Sequence, residues 1–139
     1  MSLQRTTTSF TLTIIAVACL TLRLAAQSGG ASSEAKSLKN PVPSTPASIA
    51  AGKSTFQKYC RFCHGEDAKG NGPMAPAGSH PADLTDDKWD HGSTDGEIFA
   101  VIRDGAGSQS VMKGFNSKLT TQQIWQVVTY LRSIGPNGQ

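Results

Sequence analysis

The residues best equipped for chemistry fall within six positions, Cys60-Arg61-Phe62-Cys63-His64-Gly65, read as CRFCHG. Two thiols and an imidazole at this spacing suit a redox dithiol, half of a tetrahedral zinc site, or a point of covalent haem attachment. Each chemistry places a different demand on the rest of the chain. Structural zinc needs four ligands, usually completed by a second Cys or His pair at matching spacing. A thioredoxin-type dithiol needs a strand and a βαβ setting. Haem attachment needs CxxCH itself, with elements that can enclose a large apolar ring.

Three helices can be read from the pattern. Ser48 can cap the first, which runs through IAAGKSTFQKYC into the cysteines. Thr94 opens the second with Glu97 at the capping-box position, and Gly105 stands where a terminating glycine belongs. Thr120 and Gln123 form another capping box, and Leu119 with Ile124 can make a hydrophobic staple. The apolar face of that last helix is Ile124, Val127, Val128, Leu131 and Ile134, and Gly135-Pro136 ends it. No strand pattern competes, so the domain is expected to be all-α. Between the first two helices lies a Gly/Pro-rich stretch of 29 residues from Gly65 to Ser93. A structureless loop of this length is unusual in a small domain, and becomes reasonable if it wraps a cofactor.

Domain organisation follows from composition. MSLQR is a short positive start, and FTLTIIAVACLTL is an apolar run of 13 residues, short for a membrane span, with small residues after it. Residues 1–26 therefore read as a secretory signal peptide, with cleavage after Ala26 or Ser28. An uncleaved anchor and lipid attachment at Cys19 are the alternatives, and either would tether the protein to a membrane. Residues 27–46, rich in Ser, Gly, Pro and Ala, read as a flexible linker. Residues 47–139 form the domain, small enough that its own core would be marginal. The formal charge is +3, but from Ala47 onward nine basic and nine acidic side chains cancel. Nothing here points to nucleic acid.

The chain then answers the motif. Beyond CRFCHG the domain offers His80 and His91 and no further cysteine. His64 directly beside Cys63 is also poor geometry for one shared tetrahedral metal. The cysteine pair follows a helix rather than a strand, which disfavours the dithiol reading. Cysteines three apart on a helical turn face the same way, so their sulfurs can add to two vinyl groups on one porphyrin edge. His64 then brings its imidazole to the iron. Covalent haem c is the chemistry the spacing supports best, and a permanent bond suits an exported protein.

From Ala47 to Gly135 the chain resembles a monohaem class I c-type cytochrome. The resemblance is carried by GKSTFQKYC, CRFCHG, GNGPMAPA, HPADLT, GAGSQSVMKGF and LTTQQIWQVVTYLRSIG. It implies three or four helices wrapped around one covalently attached haem c. The first and last helices would cross through Gly52, Phe56, Val127 and Tyr130. His64 would be the proximal ligand and Met112, 48 residues later, the distal one. Met74 is the rival but stands only 10 residues after His64, on the expected proximal side. Pro76 would accept the Nδ1–H of His64 through its carbonyl. Trp89, Arg103 and Lys88 are candidates to meet the propionates, and Pro81 and Leu84 to line the haem edge. The family usually has proline after the methionine. Here Lys113 follows, which implies a less rigid ligand loop and the option of lysine coordination at high pH. The implied work is electron transfer between exported, periplasmic redox donors and acceptors by a monomeric domain that is not an enzyme. Alternatives are an electron-entry subunit of a larger oxidoreductase and a haem enzyme or gas sensor with an open distal site.

Overall fold

The computed structural model describes residues 33–136; the leader, its cleavage and the start of the linker lie outside them. The described residues form five helices and no strand. They are α1 (Ser33–Ser37), α2 (Pro46–Tyr59), α3 (Arg61–His64), α4 (Asp95–Asp104) and α5 (Thr121–Ile134).

Helix α5 begins at the Thr120/Gln123 capping box, in which each side chain accepts from or reaches the other's backbone N–H. Ile124, Val127, Val128 and Leu131 are buried at helical spacing, joined by Trp125, Thr129 and Tyr130. Helix α2 crosses it at Gly52, where an added Cβ would stand 2.0 Å from the Gln126 carbonyl oxygen. Phe56 is fully buried there, its ring 5.4 Å from that of Tyr130. Helix α4 supplies the third side through Ile98, Phe99 and Ile102, with Phe99 stacked on Trp125 at 4.1 Å. It starts at the Thr94/Glu97 capping box and stops at Gly105, whose φ of 97° few other residues adopt. Exposed Arg132 then ties α5 to α4 through Asp95 at 2.7 Å.

Two expectations change. Helix α2 starts earlier than Ser48: Thr45 is its cap, Pro46 takes the first turn, and Ser48 is the partner that completes the box. Residues 33–46, expected as part of a flexible linker, are docked in the structure. Ala35 is buried, and Gly96 of α4 lets the Ala35 carbonyl approach so closely that a Cβ would overlap it. Asn40 donates to the Thr129 hydroxyl at 2.9 Å and to the Trp125 carbonyl at 3.3 Å. These partners lie 85 and 89 residues away, so no local pattern could signal them.

Candidate haem-binding site

One residue ends α2 and begins α3. The Cys60 N–H closes α2 on Phe56 at 2.8 Å, while the Cys60 carbonyl receives the N–H groups of Cys63 and His64 at 3.2 and 3.0 Å. This tight turn brings Cys60, Cys63 and His64 together, as their spacing predicts. Both thiols are free and half-buried. Burial, aided by the neighbouring Cys63, pushes the Cys60 thiol up to about 12, so it stays protonated. Burial also lowers the His64 value, opposed by a hydrogen bond to the backbone. That bond joins Nδ1 to the Ala82 carbonyl at 3.1 Å. A carbonyl can only accept, so Nδ1 carries the proton and Nε2 keeps its lone pair for a metal.

The loop after His64 explains why Ala82 arrives there. Gly65 turns with φ 83°. The chain then folds back over α3: Gly70, Gly72 and Met74 donate to the carbonyls of His64, Cys63 and Phe62 at 2.8, 3.0 and 2.8 Å. Those carbonyls would otherwise lack partners at the helix end. At Gly72 only glycine fits, because a Cβ would stand 2.4 Å from the Phe62 oxygen. Ala68 is fully buried at φ 64°, and its carbonyl accepts from Leu84 at 2.8 Å. Pinning Leu84 to Ala68 lays the 81–84 segment beside the imidazole. Pro76 does not play the part expected of it. It is exposed, and its carbonyl accepts from the N–H and hydroxyl of Ser79 at 2.9 and 2.6 Å. Ala82 takes that role, and a main-chain acceptor leaves no mark in the residue type.

Met112 is half-buried and packs on the same apolar core as Cys60. Its carbonyl accepts from Ala106 at 3.1 Å, within an isolated antiparallel bridge between Gly105 and Lys113. Three residues on, Phe115 meets Tyr59 of α2 edge-on, with ring centres 6.3 Å apart. The methionine segment is thereby anchored to α4 on one side and to the helix carrying the cysteines on the other. Met74, by contrast, is 66% exposed. His80 and His91 are exposed as well. Arg103 forks onto Asp104 and lies over Phe99, Lys88 is exposed, and Trp89 packs on the core with the Arg132 guanidinium 5.9 Å from its ring.

The donor set fits haem c. Two thiols stand beside an imidazole whose tautomer leaves Nε2 available. Met112 packs on the same core as Cys60. Tyr59, Leu84, Trp89, Met112 and Phe115 all pack on that core while remaining only partly buried, a surface suited to a large apolar ring. Among the described residues no group of three or more His, Cys, Asp or Glu could hold a metal ion.

Comparison with known proteins agrees. The family model described as cytochrome c oxidase, cbb3-type, subunit III matches residues 47–131. The cbb3-type cytochrome c oxidase subunit CcoP of Rhodobacter capsulatus is 34% identical over 98 residues, covering 67% of this chain and 31% of its own. Subunit FixP of a Bradyrhizobium strain is 34% identical over 86 residues, covering 62% and 27%. The chain thus spans about a third of the length of these relatives. Among solved structures, cytochrome cL of Methylophaga aminisulfidivorans aligns with a TM-score of 0.53 at 28% identity, over 65% of this chain and 57% of that one. A chain of the reducing HAO-like protein complex of Kuenenia stuttgartiensis aligns with a TM-score of 0.63 at 26% identity, over 68% and 47%. The fold is that of class I c-type cytochromes.

Proposed function

Because this chain belongs to the cytochrome c oxidase, cbb3-type, subunit III family, we infer that it passes single electrons between redox proteins on one covalently bound haem c. When bound, the haem supplies a one-electron ferric–ferrous couple. Cys60 and Cys63 would hold it through their sulfurs, and His64 Nε2 and the Met112 thioether would bind its iron. The protein's own work is then to keep both ligands in place whichever charge the centre carries. The Ala82 carbonyl does so for His64 by fixing ring orientation and raising ligand basicity. A methionine ligand beside the histidine would favour the reduced state and raise the potential. With both side chains bound to the iron, no position on it would be left for a substrate, which supports a carrier over a catalyst.

The observation that carries this reading is the Cys60–Cys63–His64 turn with Nδ1 engaged by Ala82. The apolar leader supports export to an oxidising, periplasmic compartment, where the domain would act as a monomer, freed by cleavage or tethered by its N-terminus. A second reading, an electron-entry subunit of a larger oxidoreductase, is favoured by the oxidase subunits among its relatives.

The test is a pyridine haemochrome spectrum of protein exported with haem-attachment machinery, followed by carbon monoxide addition to the reduced form. A covalent haem c that leaves carbon monoxide unbound at neutral pH is the expected result. Rapid stoichiometric binding would instead demand an open distal position and overturn the carrier. In Met112→Ala the weak far-red charge-transfer band of the oxidised protein should vanish and the potential fall; survival of the band would show that another residue is the ligand. Copurification with a large subunit would favour the second reading.

A further inference from the structure

The segment from Gly105 to Lys113 is held by more than its bridge to α4. Ser110 acts on it from two sides. Its hydroxyl oxygen accepts from the Met112 N–H at 3.1 Å, and its carbonyl accepts from the Lys113 ammonium at 2.8 Å. The Ser110 N–H itself donates to the Gly107 carbonyl at 3.2 Å, so the turn is fixed before it reaches methionine. Gly105 and Gly114 allow the rest. A Cβ at Gly105 would stand 2.9 Å from the Met112 carbonyl oxygen, and one at Gly114 would stand 2.4 Å from the Arg103 carbonyl oxygen. The lysine that follows methionine therefore does not dangle. It folds back across Met112 and closes the turn on Ser110.

We propose that Ser110 and Lys113 are positioning residues that lock the loop carrying Met112, doing with two hydrogen bonds what a rigid residue after the methionine would do with its backbone. The inference rests on Met112 being an axial ligand. It reverses the expectation that Lys113 loosens the loop and stands ready to replace the methionine, because the ammonium donates to the Ser110 carbonyl.

An external ligand can reach a methionine-ligated centre only while the loop is open, so its apparent affinity scales with the open fraction. A hydrogen bond of this kind contributes on the order of 0.5–1.5 kcal/mol, which is roughly a two- to twelvefold change in that fraction at 1.4 kcal/mol per tenfold. The exposed lysine should fall at the low end and Ser110, half-buried, nearer the middle.

The experiment measures imidazole affinity of the oxidised holoprotein, with the far-red band as a monitor of the methionine bond. Ser110→Ala should bind imidazole roughly three- to tenfold tighter and Lys113→Met roughly twofold tighter. Lys113→Arg, which keeps a cationic donor, should restore most of the parent value. The denaturant midpoint, which reports global stability, should move little. Unchanged imidazole affinity in both Ser110→Ala and Lys113→Met, with the band lost in Met112→Ala, would overturn the lock while leaving methionine ligation intact. A band that persists in Met112→Ala would remove the ligand assignment and the lock with it.

Discussion

Replacing Gly52 by alanine tests the helix crossing on which the site depends. The new Cβ would lie 2.0 Å from the Gln126 carbonyl oxygen, 2.6 Å from the Gln126 carbonyl carbon and 2.8 Å from the Tyr130 Cβ. Two of these atoms are backbone and cannot swing aside, so α2 and α5 must separate by roughly 1.4 Å before ordinary contact is restored. Overpacking of this kind costs about 1–3 kcal/mol, with the upper half expected where backbone is the obstacle. Alanine recovers up to about 1 kcal/mol through its better helix propensity. The net loss is about 1–2 kcal/mol, which for a domain of this size lowers Tm by roughly 4–16 °C. Thermal unfolding of the oxidised holoprotein, followed by circular dichroism, gives the number. Ser54→Ala, on the exposed face of the same helix, is the control for propensity alone and should be neutral or slightly stabilising. If Gly52→Ala melts at or above the parent temperature, the helices do not cross as closely as the structure places them.

Other perturbations probe the caps and the docked segment. The two hydrogen bonds from Thr94 hold the Glu97 carboxyl below its ordinary value of 4.5. A carboxyl lowered in the folded state stabilises above its unfolded value, and that stability drains away as pH falls through the folded one. Acid titration of Tm should therefore be steeper in the parent than in Glu97→Gln; identical curves would show that the cap does not couple to protonation. Asn40→Ala removes the donor shared by Thr129 and Trp125. It should cost about 1–2 kcal/mol and raise protease cleavage N-terminal to α2, whereas unchanged cleavage would mean that the segment does not depend on Asn40.

The helices were legible because their signals are local. Capping boxes at Thr94 and Thr120 announce themselves within four residues, and the stripe from Ile124 to Ile134 repeats with the helical period. Gly52 was legible only through family resemblance, since a glycine in a helix interior otherwise reads as a mild defect. Residues 33–46 misled for the opposite reason. Their composition is that of a linker, yet Ala35 is buried against Gly96, Val42 packs on the core and Asn40 reaches Trp125 and Thr129, contacts with distant residues that composition does not register.

The same division runs through the site. Thiols and imidazole must be covalent neighbours to serve one haem edge, so CRFCHG carries its chemistry in plain view. The acceptor for His64 has no such constraint. Every residue offers a backbone carbonyl, so what matters is not Ala82 itself but what delivers it: the glycines at 65, 70 and 72 and the left-handed, buried Ala68 that pins Leu84. The family resemblance pointed to the carbonyl of Pro76; the hydrogen bonds of the loop lead instead to Ala82. Lys113 follows the same logic in reverse. Read by type, it is a flexible cation in place of a stiff ring and loosens the loop. Read by its hydrogen bond to Ser110, it tightens that loop. In a domain where a long irregular segment does the positioning, residue type reports the ligands, and main-chain connectivity decides how firmly they are held.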